Sequence, residues 1–170
     1  PPDVVSEDGV RGRVRGRDVV LFCSNDYLGL RCDPAVVQGA VDAAERWGAG
    51  SGSSRLIAGS LPVHRQLEEA VAEWLGTDAA LVFTSGYQAN LAVLQGLGRA
   101  ADRIVSDELN HASIVDGCRL ARAAVLRTAH GDVDAVASAL LDPPGGEQFV
   151  VGEGLYSMDG DRGPAAGWAK

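Results

Sequence analysis

The apolar positions of this chain change period several times, and the changes divide it into strands and helices. Residues 79–83, Ala-Ala-Leu-Val-Phe, form a short unbroken apolar run, as expected of a strand buried on both faces. Leu91, Leu94 and Leu97 then recur at helical spacing. Beyond them the pattern predicts a strand over 103–106 and a helix over 111–122 with Ile114, Cys118 and Ala121 facing inward. A strand over 124–127, a helix over 132–141 stopped by Pro143 and Pro144, and a strand over 148–153 complete the series. Strands alternating with helices imply an α/β fold: a mostly parallel sheet with helices on both faces.

The first part of the chain reads differently. Residues 1–9 are polar and show no periodicity, whereas 10–14 and 18–23 alternate enough to predict a short β-hairpin turning at Arg15-Gly16. In Ser24-Asn25-Asp26-Tyr27-Leu28-Gly29-Leu30 the polar residues favour a turn, while Tyr27 and Leu28 call for burial. Either this is an Asx-type turn held by two apolar anchors, or Asn25 faces a pocket. Asp33 followed by Pro34 opens a helix whose Val37, Val41, Ala44 and Trp47 share one face and which stops at Gly48. The glycine-rich stretch 48–55 lacks the preceding strand and following helix of a dinucleotide site, which leaves a loop beside a ligand or a plain linker. Ser60 is placed to cap a helix through Leu75, with Val63, Leu67, Val71 and Trp74 as its buried stripe and Gly76 as its stop. His64 on that helix reads as a packing or interface residue, not a catalyst. The expected organisation is an N-terminal segment with a hairpin (1–33), a linking helix and glycine-rich loop (34–59), and the beginning of an α/β domain (60–170).

Composition narrows the function classes. A chain of 170 residues with 46% hydrophobic residues can build a real core. Its net charge of −8, without a basic run, argues against nucleic acid or an anionic membrane surface and for a small-molecule partner. Three widely spaced cysteines, Cys23, Cys32 and Cys118, suggest reduced thiols in a cytoplasmic protein; no zinc or disulfide framework is visible. No signal peptide or membrane-length apolar segment is seen, and a chain opening at Pro1 has the look of a trimmed piece.

Candidate chemistry gathers at strand ends. Ser85 and Gln88 match a capping box, so a helix starts at the Ser85-Gly86 corner, and its first N–H groups face a positive macrodipole end. A phosphate or carboxylate above Gly86 and Tyr87 would be held there by main-chain donors; an ordinary capped turn without a ligand gives the same heptapeptide. Two further groups, 107–111 and 153–161, also follow strands, and ligands of parallel sheets sit beyond the carboxyl ends of strands. One pocket explains Ser, Tyr, His, Glu, Ser and Asp at three strand ends more simply than three unrelated loops do.

In order along the chain, several stretches resemble the α-oxoamine synthases, pyridoxal phosphate (PLP) enzymes of the fold-type I aminotransferase class. They are Ser24-Asn25-Asp26-Tyr27-Leu28-Gly29, the 50–59 loop with Ser54-Arg55, His64 with Leu67-Glu68, and Ser85-Gly86-Tyr87-Gln88-Ala89-Asn90. Asp107-Glu108-Leu109-Asn110-His111-Ala112-Ser113 and Glu153-Gly154-Leu155-Tyr156-Ser157-Met158-Asp159-Gly160-Asp161 follow. The resemblance implies part of the large domain of that fold and a homodimer with sites at its interface. It also implies phosphate binding at Ser85, Gly86 and Tyr87, and His111 stacked on the cofactor ring as a proton-transfer residue. Ser157 would lie near the ring's phenolic oxygen, with Asn25 and Glu153 close to substrate. The wording Cys-Ser-Asn-Asp-Tyr-Leu-Gly-Leu is most similar to members that join alanine to a pimeloyl thioester, carried on CoA or a carrier protein; relatives use glycine or serine with other acyl-CoAs.

Two departures from the family pattern shape the expectation. The aspartate that pairs with the pyridinium nitrogen and the Schiff-base lysine come, in the family, after the stretch ending at Asp161. Lys170 is the one lysine here, at the chain's end. The chain is therefore expected to be the N-terminal half of a synthase and, by itself, not to catalyse condensation. A non-catalytic subunit binding a phosphate ligand or a partner, and an unrelated parallel α/β phosphate binder, are the readings from other classes. A downstream reading frame with Asp-x-x-His and a lysine favours the enzyme, and indifference to PLP the unrelated binder.

Overall fold

The computed structural model describes residues 4–6 and 10–169. Lys170, the residue on which the expectation of inactivity rests, lies outside the described residues, as do 1–3 and 7–9. The chain forms two compact units, Pro1–Ala80 and Leu81–Lys170.

The first unit holds an antiparallel sheet of β1 (Val4–Ser6), β2 (Arg11–Val14) and β3 (Arg17–Val20), in that order. The predicted hairpin is β2–β3, and Arg15 and Gly16 at its turn both have positive φ, the pair of left-handed residues that a two-residue hairpin loop requires. A strand in the stretch read as patternless is a correction: β1 pairs Val4 with Val14, and ladder bonds need no side-chain alternation. Helix α1 (Pro34–Trp47) begins as expected, with the Asp33 carboxylate accepting the Ala35 N–H at 2.8 Å and Pro34 in the first turn.

Helix α2 (Pro62–Leu75) ends at left-handed Gly76 as predicted, but its start differs. Leu61, not Ser60, is the N-cap, and because leucine has no acceptor the cap works in reverse: the Leu61 N–H donates to His64 Nδ1 at 3.0 Å. His64 is thus a capping residue. Arg55 makes a two-pronged ion pair with Glu68 at 2.6 and 3.0 Å, tying the glycine-rich loop to α2. The burial expected of Tyr27, Leu28 and Trp74 is not found; Tyr27 and Trp74 are 84% and 83% exposed, because no described segment covers those faces.

The second unit is the alternating part. Helix α3 (Gly86–Leu97) leads to β4 (Arg103–Asp107), α4 (Ala112–Leu120), β5 (Ala124–Thr128), α5 (Val133–Leu140), β6 (Gln148–Val151) and α6 (Ala165–Trp168). The three strands form a parallel sheet in the order β5-β4-β6, with Val105 opposite both Leu126 and Val150. Its core is Leu94, Ile104, Ile114, Cys118 and Ala123, with Phe149 and Val151 packed against them. Gly117 is required there: a Cβ on it would come within 2.6 Å of Leu94 Cδ1, so α3 and α4 approach as closely as they do only because Gly117 has none. Residues 79–83 are not a strand, which corrects the apolar-run reading. Leu81 within them is 67% exposed, unlike a strand covered on both faces.

Candidate functional site

Three turns at the carboxyl ends of the strands and the starts of α3 and α4 bring the site residues of the second unit together. At the α3 start, Ser85 Oγ accepts the Gln88 N–H at 3.2 Å, giving half of the expected capping box. The other half is absent, for the Gln88 side chain bonds the Thr84 hydroxyl instead. The Gly86 and Tyr87 N–H groups, first and second in the helix, have no intrahelical acceptor. A Cβ on Gly86 would meet nothing within 4 Å, so the space above these donors is open. Two main-chain donors at a positive helix end, with room above them, fit an anionic group such as the phosphate of PLP. The Tyr87 phenol does not share that space: it donates to Asp116 on α4, which raises the phenol's pKa and lowers that of the carboxyl.

His111 is the N-cap of α4, one residue before the helix predicted to include it. Its Nδ1 accepts the Ser113 N–H at 3.1 Å and lies 2.6 Å from the Ser113 hydroxyl. That hydroxyl accepts from Asn90 Nδ2 of α3 at 2.8 Å, so its own proton is directed to His111 Nδ1. With Nδ1 an acceptor, the neutral ring carries its proton on Nε2, and the ring stays exposed. Asn90 and Ser113 were not picked out as functional residues, although both stand in the stretches that carry the family resemblance; what singles them out is a contact 23 residues apart. Glu153, expected near substrate, turns its carboxylate to the His111 backbone N–H. Ser157 lies exposed in the turn after β6, and none of the described hydrogen bonds involves its hydroxyl. Asn25 belongs to the first unit, where its side chain accepts from the Tyr27 phenol at 3.5 Å and Ser24 Oγ accepts the Asp26 N–H, the turn reading of that stretch.

Sequence reasoning overlooked His130. It stands between β5 and α5, and Nδ1 is 2.9 Å from one oxygen of buried Asp107 while Nε2 is 2.8 Å from Asp161. Both ring nitrogens face carboxylates, so both donate and the ring is an imidazolium. Asp107, with Asp161, accordingly raises its pKa. Burial alone pushes the Asp107 carboxyl up, but bonds from the Gly131, Leu109 and His130 N–H groups outweigh it and leave the carboxyl below its ordinary range. The available signal was position: His130 follows a strand's carboxyl end, as the other candidates do. A cleft of 540 Å³ lined by Ser106, Asp107, Arg119 and Arg127 lies away from the Gly86 corner and contains neither that corner nor His111. Open main-chain donors, not concavity, mark the anion position.

Comparison with known proteins agrees with this arrangement. The family model for aminotransferase class I and II matches residues 17–170. An 8-amino-7-oxononanoate synthase of Anaeromyxobacter sp. strain Fw109-5 is 52% identical over 161 residues, 95% of this chain and 41% of that protein. One from Geobacter sulfurreducens is 48% identical over 95% of this chain and 41% of its own length. Among solved structures, the serine palmitoyltransferase of S. paucimobilis, with PLP and myriocin bound, superposes with a TM-score of 0.91 at 32% identity, covering 98% of this chain and 43% of that one. The chain thus spans about two fifths of the length of the curated relatives it matches.

Proposed function

The chain belongs to the class I and II aminotransferase family, and from that membership we propose that it forms the phosphate-binding and ring-side part of a PLP-dependent synthase. The reaction is the decarboxylative condensation of L-alanine with a pimeloyl thioester to 8-amino-7-oxononanoate, with release of CO₂ and a thiol, a step of biotin biosynthesis. The observation that carries the reading is the coupling of the open Gly86–Tyr87 donors to His111 through Asn90 and Ser113. Identity of about half with two synthases of that name supports the choice of substrates.

PLP, when bound, supplies the electron sink that makes the bonds at the amino acid's Cα labile. The chain's own residues bind and orient. The Gly86 and Tyr87 N–H groups and the Ser85 hydroxyl hold the phosphate. His111 lies against the ring with Nδ1 engaged by Ser113, so its Nε2–H is the atom available to a substrate carboxylate or to proton transfer. Glu153 fixes the backbone of His111, Ser157 offers its hydroxyl to the ring's phenolic oxygen, and Asn25 contributes on the substrate side. A cytoplasmic homodimer, as the resemblance implies, completes the reading.

The test is thiol release by the full-length protein supplied with PLP, with alanine, glycine and serine each paired with pimeloyl and longer acyl thioesters. Alanine with pimeloyl thioester is expected to be fastest. Preference for serine or glycine would move the protein to another branch of the synthases, and no release with any pair would favour a non-catalytic subunit.

A further inference from the structure

The segment 153–163 carries two of the proposed site residues, Glu153 and Ser157, and it is closed on itself. The Tyr156 N–H donates to Asp161 O at 2.9 Å, the Gly160 N–H to Tyr156 O at 2.8 Å, and Leu155 bridges to Arg162. Its two ends touch: a Cβ on Gly163 would lie 2.1 Å from Glu153 O. A loop bonded internally and closed at its base moves as one body, so its placement depends on the few ties to the rest of the unit. Among the described residues its side-chain ties are two, Glu153 to the His111 N–H and Asp161 to His130 Nε2. Between them Tyr156, 2% exposed, sets its ring edge-on to the His130 imidazole with centroids 4.5 Å apart.

We propose that His130 is a positioning residue, a clamp that joins Asp161 of this loop to Asp107 at the end of β4 and so holds Glu153 and Ser157 in place for the cofactor site. Resting on the PLP reading above, it assigns a role to a residue that touches neither cofactor nor substrate. The geometry is that of a two-sided bolt. Asp107 is fixed by three donors, His130 Nδ1–H and the N–H groups of Gly131 and Leu109, so the ring is rigid on the protein side. The far nitrogen then presents one directional, charge-assisted donor to a loop that has little else to hold it. The charged and titratable groups facing His130 are Asp107 from β4, Glu108, whose carboxylate accepts the His130 N–H at 3.2 Å, and Tyr156 and Asp161 from the loop; Arg127 faces Glu108 at 3.8 Å.

The experiment uses the full-length protein and two variants. Asp161→Ala removes the loop side of the bolt at a half-exposed position without disturbing the buried pair, and His130→Asn keeps a donor toward Asp107 while losing the one toward Asp161. Hydrogen exchange is followed by mass spectrometry in peptides covering 153–163 and, as controls, β4 and α3, with PLP affinity measured in parallel. The clamp predicts faster exchange in 153–163 on the order of tenfold in both variants, the factor one charge-assisted hydrogen bond supplies. Control peptides stay unchanged, PLP binds more weakly, and Asp161→Asn, which can still accept from Nε2–H, restores most of the protection. In the unsubstituted protein the exchange of 153–163, corrected for its intrinsic rate, rises as the pH passes through the titration of His130; in Asp161→Ala that step is lost. Unchanged exchange in 153–163 in both variants overturns the clamp whether or not PLP binds. Failure of the unsubstituted protein to bind PLP overturns the functional reading instead, while the exchange comparison still decides the clamp.

Discussion

The Asn90 side chain of α3 donates at 2.8 Å to the Ser113 hydroxyl of α4, a group with no exposed surface. One hydrogen bond therefore couples the helix that offers main-chain donors to the helix that His111 caps. Ser113→Ala leaves the Asn90 amide without that acceptor and His111 Nδ1 without the hydroxyl donor. The expected cost is about 1–3 kcal/mol of unfolding free energy, the range for leaving a buried polar group unpaired. Denaturant unfolding measures it, and ¹⁵N shifts of the His111 ring should show both tautomers where the unsubstituted protein shows the Nε2–H form.

His111→Ala is expected to lower turnover by roughly a hundredfold to ten-thousandfold, the usual weight of a proton-transfer residue. It also removes the acceptor that caps α4, so a stability loss of about 1 kcal/mol accompanies it. His111→Asn separates the two effects, since asparagine caps as well but cannot serve as the same acid or base. A His111→Asn protein with native turnover would make the histidine a cap and nothing more.

Stability should fall on the alkaline side of neutrality. The bonds to Asp107 and then Asp161 raise the His130 pKa above its ordinary 6.5, so the folded state binds that proton more tightly than the unfolded chain. The contribution is complete below 6.5 and is lost as the pH rises through the raised value. Asp107 acts in the opposite direction: lowered from 3.8, it stabilises fully above that value and loses its contribution as the pH falls through the lowered one. Thermal melts across pH check both, and His130→Asn should flatten the alkaline fall.

What was legible in the sequence was local. Asp33 before Pro34, Gly76 after Leu75 and Ser85 before Gly86 each announce a helix end through their own backbone needs, and each end falls there. The parallel order of the second unit followed from alternating periods. His130 escaped because an Ala-His-Gly turn carries no period, and the partner that defines it, Asp161, is 31 residues away. Residues 79–83, Tyr27 and Trp74 misled for a related reason: an apolar pattern states what a segment requires, and no described segment meets the requirement. Glu153 was placed near substrate by resemblance, while its carboxylate turns to the backbone of His111, a contact no spacing rule encodes.

The account's central claim, that the α3 start holds the cofactor phosphate, is tested most directly at Gly86. A Cβ there meets no protein atom within 4 Å, so Gly86→Val leaves the fold intact and crowds only what sits above the helix end. The measurement is the affinity of the full-length protein for PLP and for pyridoxal, which lacks the phosphate, with glycine and with valine at position 86. The account predicts that the unsubstituted protein prefers PLP strongly and that valine removes most of that preference by weakening PLP alone, with melting temperature unchanged. An unchanged ratio of PLP to pyridoxal affinity in a folded Gly86→Val protein would contradict it.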